Sequence, residues 1–364
     1  MPAVEPGSKV LVSGANGFIA VWVVRLFLEA GYTVRGTVRS ESKAGYLRTM
    51  FENYGQKFEV VVVEDITKPG AFDTAVKGMD AIAHTASPFH FEADDPNGVH
   101  PKNSVILLPT DRCHILIEEL IEPAVHGTVG ILESTLKNAP DVKRVVVLSS
   151  CASVSNPSDF GILNESNWNL ENIEEVKNLG KKASQPAKYR ASKTLAERAA
   201  WDFVAKNKGE IKWDLVTLCP PFVFGPVLHD VSSPAALNTS VKDVYESLLG
   251  GTKTPEQLQN FQGSWVDVRD VALAHVRALE RPEAAGKRFI ISSSNFVWQD
   301  WFDAANTLSI PGVNVPKGEP GAGAKVTHRH VYDTTRAKEE LGIKFIDMKT
   351  TAKDMIDDFK KRGW

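Results

Sequence analysis

The chain has 364 residues, 43% hydrophobic and 24% charged, with a formal net charge of −3. These values suit one large globular domain, or a large domain joined to a smaller one. No block of like charge occurs, and no apolar run reaches the roughly 18 residues of a membrane span, so neither nucleic acid nor a membrane is expected as a partner. Cys113, Cys151 and Cys219 have neither metal-ligand spacing nor the even count of a disulfide framework. The start, "MPAVEPGSKVLVSG", has no basic-then-apolar leader pattern. The expectation is a soluble, cytoplasmic protein with no bound metal.

In chain order, "KVLVSG" (Lys9 to Gly14) is a short apolar strand ending in glycine, and "FIAVWVVRLFLEAG" is a mostly buried helix ending at Gly31. "YTVRGTVR", "FEVVVVED" (Phe58 to Asp65) and "MDAIAHTA" (Met79 to Ala86) are further strands. A helix is predicted over Leu120 to Leu136, and a fifth strand over Lys143 to Ser150, "KRVVVLSS". The helix with "YRASK" follows, then the strand "WDLVTLCP". Alternating strands and helices predict an α/β fold, a Rossmann-type doubly wound parallel sheet. Runs such as "VVVV" and "VVVL" read as parallel strands buried on both faces.

The turn after the first strand is "GANGFIA", with Gly14, Gly17 and Ala20 at spacing G-x-x-G-x-x-A. The first glycine permits the tight turn, the second lets backbone N–H groups approach a pyrophosphate, and the small third residue lets the helix pack closely. Gly14, Asn16, Gly17, Phe18 and Ile19 are therefore candidate cofactor-binding residues, with the helix N-terminus favouring phosphate. An NAD site usually puts an acid at the end of the second strand. Here that end reads "GTVRSESK", and Arg39 and Lys43 sit where a 2′-phosphate would lie. NADP(H) is the expected cofactor. Asp65 and Ile66, after the third strand, are candidates for the adenine edge. Thr85, Ala86 and Ser87 end the fourth strand and are candidates for the nicotinamide side.

The fifth strand delivers Ser149 or Ser150 to the same sheet edge, where a hydroxyl could donate to a substrate carbonyl. In "YRASK", Tyr189 and Lys193 are four residues apart and share one helix face. A nearby cation favours phenolate and lowers a tyrosine's pKa, which would make Tyr189 a usable proton carrier. The set reads as Ser150 polarising the carbonyl, Tyr189 passing the proton and Lys193 assisting, with hydride from the cofactor. No G-x-S-x-G stretch supports a serine hydrolase.

These residues, with "VSGANGFIA", "HTASPF", "EPAVHGTVGIL", "YRASKTLAERAAW", "CPPFVFGP", "NTS" and "WVDVRDVALAHVRALE", make the chain resemble the extended short-chain dehydrogenase/reductases. Within them it resembles the dihydroflavonol-reductase-like group and its fungal NADPH-dependent aldehyde and ketone reductases. The resemblance spans nearly the whole chain. It implies a Rossmann domain over residues 1–218, with about 263–292 returning to it. It implies a smaller C-terminal substrate domain from 219–262 and 293–364. It also implies catalytic roles for Ser150, Tyr189 and Lys193, puts Pro220 and Val223 near the nicotinamide, and makes Phe89 and Phe222 walls of the substrate pocket. A small carbonyl substrate is the implied partner, and the protein is expected as a monomer or homodimer.

Some residues depart from that pattern. Cys151 and Ser155 stand where relatives have aromatic residues, and Phe222 stands for a tyrosine, so the pocket is expected to be roomier on one wall and short of one hydroxyl. Cys151 itself reads as a small buried hydrophobe lining that pocket. Gly98 to Glu118 has no counterpart in the pattern and no clear period, and reads as a lineage-specific insertion or a retained intron translated in frame. Its removal is expected to leave activity intact. A metal site from His100, Cys113 and His114 is the sharper alternative for that segment.

Toward the end, "SWVDVRDVALAHVRALERP" reads as a strand end and helix, "KRFIISSS" as a late strand, and "NFVWQDWFDAANTL" as a helix. "KGEPGAGAKV" reads as a loop, and two amphipathic helices close the chain. The leading function is an NADPH-dependent carbonyl reductase. An NAD-dependent epimerase or dehydratase on the same scaffold, and a non-enzymatic NADP(H) sensor, are the competing readings.

Overall fold

A computed structural model describes residues 4–87 and 121–364; Phe89, His100, Cys113, His114 and the segment 98–118 lie outside the described residues. The first half runs β1 (Lys9–Ser13), α1 (Phe18–Glu29), β2 (Thr33–Val38), α2 (Ala44–Met50), β3 (Phe58–Val62), β4 (Ala81–His84), α3 (Glu122–Asn138) and β5 (Arg144–Leu148). Next come β6 (Gly161–Leu163), α4 (Glu171–Leu179), α5 (Gln185–Lys206), β7 (Asp214–Cys219) and β8 (Phe222–Phe224). The remainder is α6 (Thr239–Leu248), α7 (Pro255–Asn260), β9 (Gly263–Asp267), α8 (Val268–Glu280), β10 (Arg288–Ile290), β11 (Ser294–Phe296), α9 (Trp298–Asn306), β12 (His330–Tyr332), α10 (Thr335–Glu340) and α11 (Met348–Lys361).

Seven strands form one parallel sheet in the order β10-β7-β5-β4-β1-β2-β3. The chain order reverses between β1 and β4, and ligands of such sheets bind outside the carboxyl ends of the strands at that crevice. Consecutive apolar residues in β1, β4 and β5 are buried because helices cover both faces. β3 differs from the expectation of a strand buried on both faces. It is the sheet edge, and Val62 is 41% exposed. The helix α1 carries apolar residues around most of its circumference and packs against α8. Phe27, fully buried there, stabilises the fold by about 1.5–3 kcal/mol. Gly31, at φ 91°, takes the left-handed conformation just past the helix end.

The late return to the sheet divides differently from the expected span of about 263–292. The α8 helix packs on α1 and β10 pairs with β7, but β9 lies outside the large sheet. It pairs in parallel with β8 and antiparallel with β11, in a separate three-stranded sheet. A further pair, β6 with β12, joins residues 161–163 to 330–332. This pair ties residues before 218 to residues after it. Around β8 and β11, Phe224, Trp265, Phe296, Trp298 and Trp301 form a continuous aromatic core with edge and stacked contacts between 4.8 and 6.5 Å.

Candidate active site

The glycine turn is held from three sides. Gly14 has φ 65°, and a Cβ there would sit 3.1 Å from Ala86 Cα, so glycine suits both the backbone and the space. Gly14 N–H donates to Thr37 Oγ1 at 3.1 Å, and Ala15 N–H to the Thr37 carbonyl at 2.8 Å. Ser13 Oγ accepts from the N–H groups of Thr85 and Ala86, both at 3.0 Å, and lies 2.9 Å from His84 Nδ1. Thr85 Oγ1 also donates to the Ser13 carbonyl. The ends of β1 and β4 are therefore stitched together at the crevice. The sequence reading missed Gly36. A Cβ there would lie 2.8 Å from Ala15 Cβ, so its glycine lets the turn settle against β2.

Gly17 is the exposed N-cap of α1, with no side-chain cap and no acid in the first turn. The N–H groups of Phe18, Ile19 and Ala20 have no carbonyl within the helix to bond. Phe18 contributes only backbone here, because its ring is buried edge-on to His229 at 5.6 Å. Asn16 and Ile19 remain partly accessible. These features fit a pyrophosphate. After β2, Arg39 and Lys43 are exposed and make no ion pair among the described residues. The nearest acid, Glu41, is taken by Arg48, whose hydrogen bond holds the carboxyl below its ordinary pKa. That pairs the Glu41 charge with a cation, which weakens its repulsion of a 2′-phosphate. Asp65 Oδ1 accepts from Thr67 N–H at 2.9 Å and Thr67 Oγ1 at 2.6 Å, which fixes the turn after β3. Ile66 packs beside Gly127 of α3.

The α5 helix begins at Ser184, whose Oγ accepts from Ala187 N–H at 3.3 Å, and carries Pro186 in its first turn. Its Tyr189 faces Ser150, and the two hydroxyls hydrogen-bond. Ser150 Oγ also accepts from Ala152 N–H at 3.1 Å and lies 3.4 Å from the Pro220 carbonyl. One turn along α5, Lys193 Nζ donates to Ser87 Oγ at 3.1 Å. The structure thus brings Ser150, Tyr189 and Lys193 to the β4–β5 edge, beside Thr85, Ala86 and Ser87. The expected electrostatics need correction. Burial raises the Tyr189 pKa, and the groups that pull it back are the Ser150 hydrogen bond and the Arg190 charge, not Lys193. Burial in turn lowers Lys193 to about 8.

Ser149 and Ser150 send their hydroxyls to different places. Ser149 Oγ donates to Glu197 Oε2 at 2.6 Å, beneath the site. Ser153 Oγ lies 2.5 Å from the same oxygen, and Thr217 Oγ1 donates to Oε1 at 2.8 Å. Arg288 Nε completes the cluster at 2.7 Å from Oε1, with its guanidinium 3.6 Å above the Trp168 ring. Side chains of this pair are 8% and 1% exposed. The Arg288 charge and the hydroxyl donors outweigh burial and keep the Glu197 pKa low. This network was missed. Glu197 had a signal, since it extends the Tyr189–Lys193 spacing by four more residues on the same face. Arg288 had none, because only β7–β10 pairing brings it there.

A cavity of about 740 Å³ opens beside Ser150 and Tyr189. Cys151, Pro221 and Phe222 line its apolar part, and Asn295, Arg190 and His330 its polar part. Pro220 and Val223 are buried at the start of β8; the Val223 carbonyl accepts from Ser240 Oγ at 2.7 Å. Cys151 is 3% exposed, donates its thiol to the Cys219 carbonyl at 3.1 Å, and has its pKa pushed up by burial, as a small buried hydrophobe should. The expectation of a wall short of a hydroxyl meets an unforeseen residue. Tyr332 of β12 donates to Ser155 Oγ at 2.9 Å and lines the cavity. Among the described residues, no cluster of His, Cys, Asp or Glu could hold a metal ion, and no helix is long and apolar enough to cross a membrane.

A parallel sheet with a glycine turn at its switch point, opening onto an uncapped helix N-terminus, defines a class, the NAD(P)-binding proteins of Rossmann type. The pattern described as NAD dependent epimerase/dehydratase family matches residues 110–292, and the one described as NAD(P)H-binding matches residues 14–200. The chain is 36% identical to the ketoreductase azaE of Aspergillus niger, over 96% of either chain. It is also 36% identical to the NADPH-dependent methylglyoxal reductase GRE2 of Saccharomyces cerevisiae, covering 97% of this chain and 98% of that one. The crystal structure of yeast methylglyoxal/isovaleraldehyde reductase Gre2 complexed with NADPH superimposes with a TM-score of 0.81, over 97% of this chain and 99% of that one. The chain belongs to the extended short-chain dehydrogenase/reductases, within the NAD dependent epimerase/dehydratase family.

Proposed function

We propose that this cleft reduces a small aldehyde or ketone to an alcohol at the expense of NADPH. The observation that carries the reading is the meeting of Ser150 and Tyr189 on the cavity wall, one helical turn from Lys193 and next to the glycine cradle. When bound, the nicotinamide supplies the hydride. Ser150 donates a hydrogen bond to the substrate carbonyl oxygen and orients it. Tyr189, kept protonated at neutral pH by its raised pKa, gives its phenolic proton to the developing alkoxide. Lys193, cationic below about pH 8, holds the cofactor side of the cleft with Ser87. Gly14, Asn16, Gly17, Phe18 and Ile19 hold the pyrophosphate, Arg39 and Lys43 the 2′-phosphate, and Asp65 and Ile66 the adenine side. Thr85, Ala86, Ser87, Pro220 and Val223 enclose the nicotinamide. Cys151 and Phe222 shape the pocket.

In this reading residues 1–218 with the α8–β10 return form the cofactor domain, and 219–262 with 293–364 form most of the substrate domain. The protein works in the cytoplasm as a monomer or homodimer. Pairing of Glu41 with Arg48, beside unpaired Arg39, sets this reading above an NAD-dependent epimerase. Retention of both Tyr189 and Lys193 sets it above a cofactor sensor.

The test is NADPH oxidation by the purified protein with methylglyoxal, 3-methylbutanal and a small aryl ketone, with NADH for comparison. Turnover with NADPH and little with NADH is expected, declining as pH rises past about 8, where Lys193 loses its proton. Absence of turnover from a protein that still binds NADPH overturns the reading.

A further inference from the structure

The polar end of the cavity contains two cations that the reduction as described does not use. Arg190, next to Tyr189 on α5, is partly buried in the wall and makes no hydrogen bond through its side chain and no ion pair among the described residues. Arg329 lines the same cavity from the residue just before β12. Its guanidinium lies 4.8 Å above the Phe160 ring, and it too has no carboxylate partner among the described residues. The two charges converge. Both act on His330, which follows Arg329 in sequence and lines the cavity, and with burial they hold its imidazole below the ordinary pKa.

The acids nearby are already engaged. Glu175 is the one carboxylate among the described lining residues; it accepts from Ser184 N–H at 3.3 Å, Ser184 Oγ at 3.2 Å and Asn172 Nδ2 at 3.1 Å. Asp159, which also acts on His330, accepts from Asn156 N–H at 2.7 Å and from its amide at 3.3 Å. Among the described residues this leaves two guanidinium groups with donors to spare on a cavity that Pro221 and Phe222 also line. Arg329 is exposed and its charge hydrated, whereas Arg190 is partly buried with no counter-ion among the described residues, which is unfavourable until an anion arrives; the planar fork of each matches a carboxylate.

We propose that the cavity is built for an oxo acid. The reacting carbonyl meets Ser150 and Tyr189, an apolar middle lies on Phe222, and a carboxylate at the far end is held by Arg190 and Arg329. This rests on the reading of the cleft as a carbonyl reductase. It makes the arginines specificity-determining residues and names the substrate class.

The experiment compares straight-chain keto acids of increasing length, each with its own methyl ester, as substrates with NADPH. At one length or more, kcat/KM for the acid exceeds that for the ester by about tenfold or more, the size expected of a charge-assisted pair. In Arg190→Gln and Arg329→Gln that acid-to-ester ratio falls about tenfold, chiefly through KM for the acid. The ratio is the readout because Arg190 also bears on the Tyr189 pKa, which shifts both substrates together. Esters reduced as well as or better than acids at every length, or a ratio unmoved by both substitutions, overturn the inference and leave the reductase reading standing. Reduction of neither series also overturns the inference, and the reductase reading falls with it only where methylglyoxal, 3-methylbutanal and the aryl ketone are left unreduced as well by a protein that binds NADPH.

Discussion

The proposed cofactor end and the proposed substrate end of this cleft are assembled by different means. At the cofactor end, Gly14, Gly17, Arg39 and Thr85–Ser87 come from the first 87 residues and lie on consecutive strand ends of one sheet. Backbone does most of the work there: a positive φ at Gly14, uncapped N–H groups at the start of α1, and Ser13 fastening β1 to β4. At the substrate end, Ser150, Tyr189, Phe222, Asn295 and Tyr332 arrive from five separate segments. Side chains do the work there, and long-range pairs such as β6 with β12 and β7 with β10 hold them in place. A local motif can specify a cradle for a fixed ligand. A pocket for a variable ligand needs surfaces that only folding assembles.

The sharpest way to break this contrast is to remove the group where the two ends meet. Tyr189→Phe is expected to lower kcat about 10²–10⁴-fold while NADPH binding, followed by fluorescence titration, is retained. Undiminished turnover would take Tyr189 out of the reaction. The next effect falls on the scaffold of the substrate end. Glu197→Gln leaves the Arg288 charge buried without its counter-charge and is expected to cost about 3–5 kcal/mol in urea unfolding. A much smaller loss would mean that the serine loop is held by its hydroxyls alone. The smallest effect is at the cofactor end. Arg39→Ala with Lys43→Ala is expected to reduce the preference for NADPH over NADH by about tenfold or more, with stability changed by less than about 0.5 kcal/mol. An unchanged preference would place 2′-phosphate recognition elsewhere.

Legibility in the sequence followed the same division. The glycine turn, the alternation of strand and helix, and the Tyr189–Lys193 spacing are short-range patterns, and β1 to β5, α5 and β7 fall close to where the sequence puts them, whereas β6, α4, β8, α6, α7, β11 and β12 are not foreseen by it. The misses are cases where a neighbour decides. The valine-rich β3 looks like an interior strand until sheet order makes it an edge. The β9 strand looks like part of the main sheet until β8 and β11 claim it. Lys193 looks like the charge that governs Tyr189 until its ammonium is found on Ser87, while burial and Arg190 set the phenol.

By itself, the order of residues determined the parallel sheet, the place of the dinucleotide cradle and the face that carries the phenol and the ammonium. These depend on side-chain periodicity and on the conformational freedom of glycine, both properties of contiguous chain. Tertiary structure alone decided which serine faces the cavity, which buried ion pair supports it, and which arginines line the far wall. Those outcomes depend on desolvation and on residues far apart in sequence, such as Arg190 and Arg329, 139 positions apart on one cavity, and no local pattern encodes them.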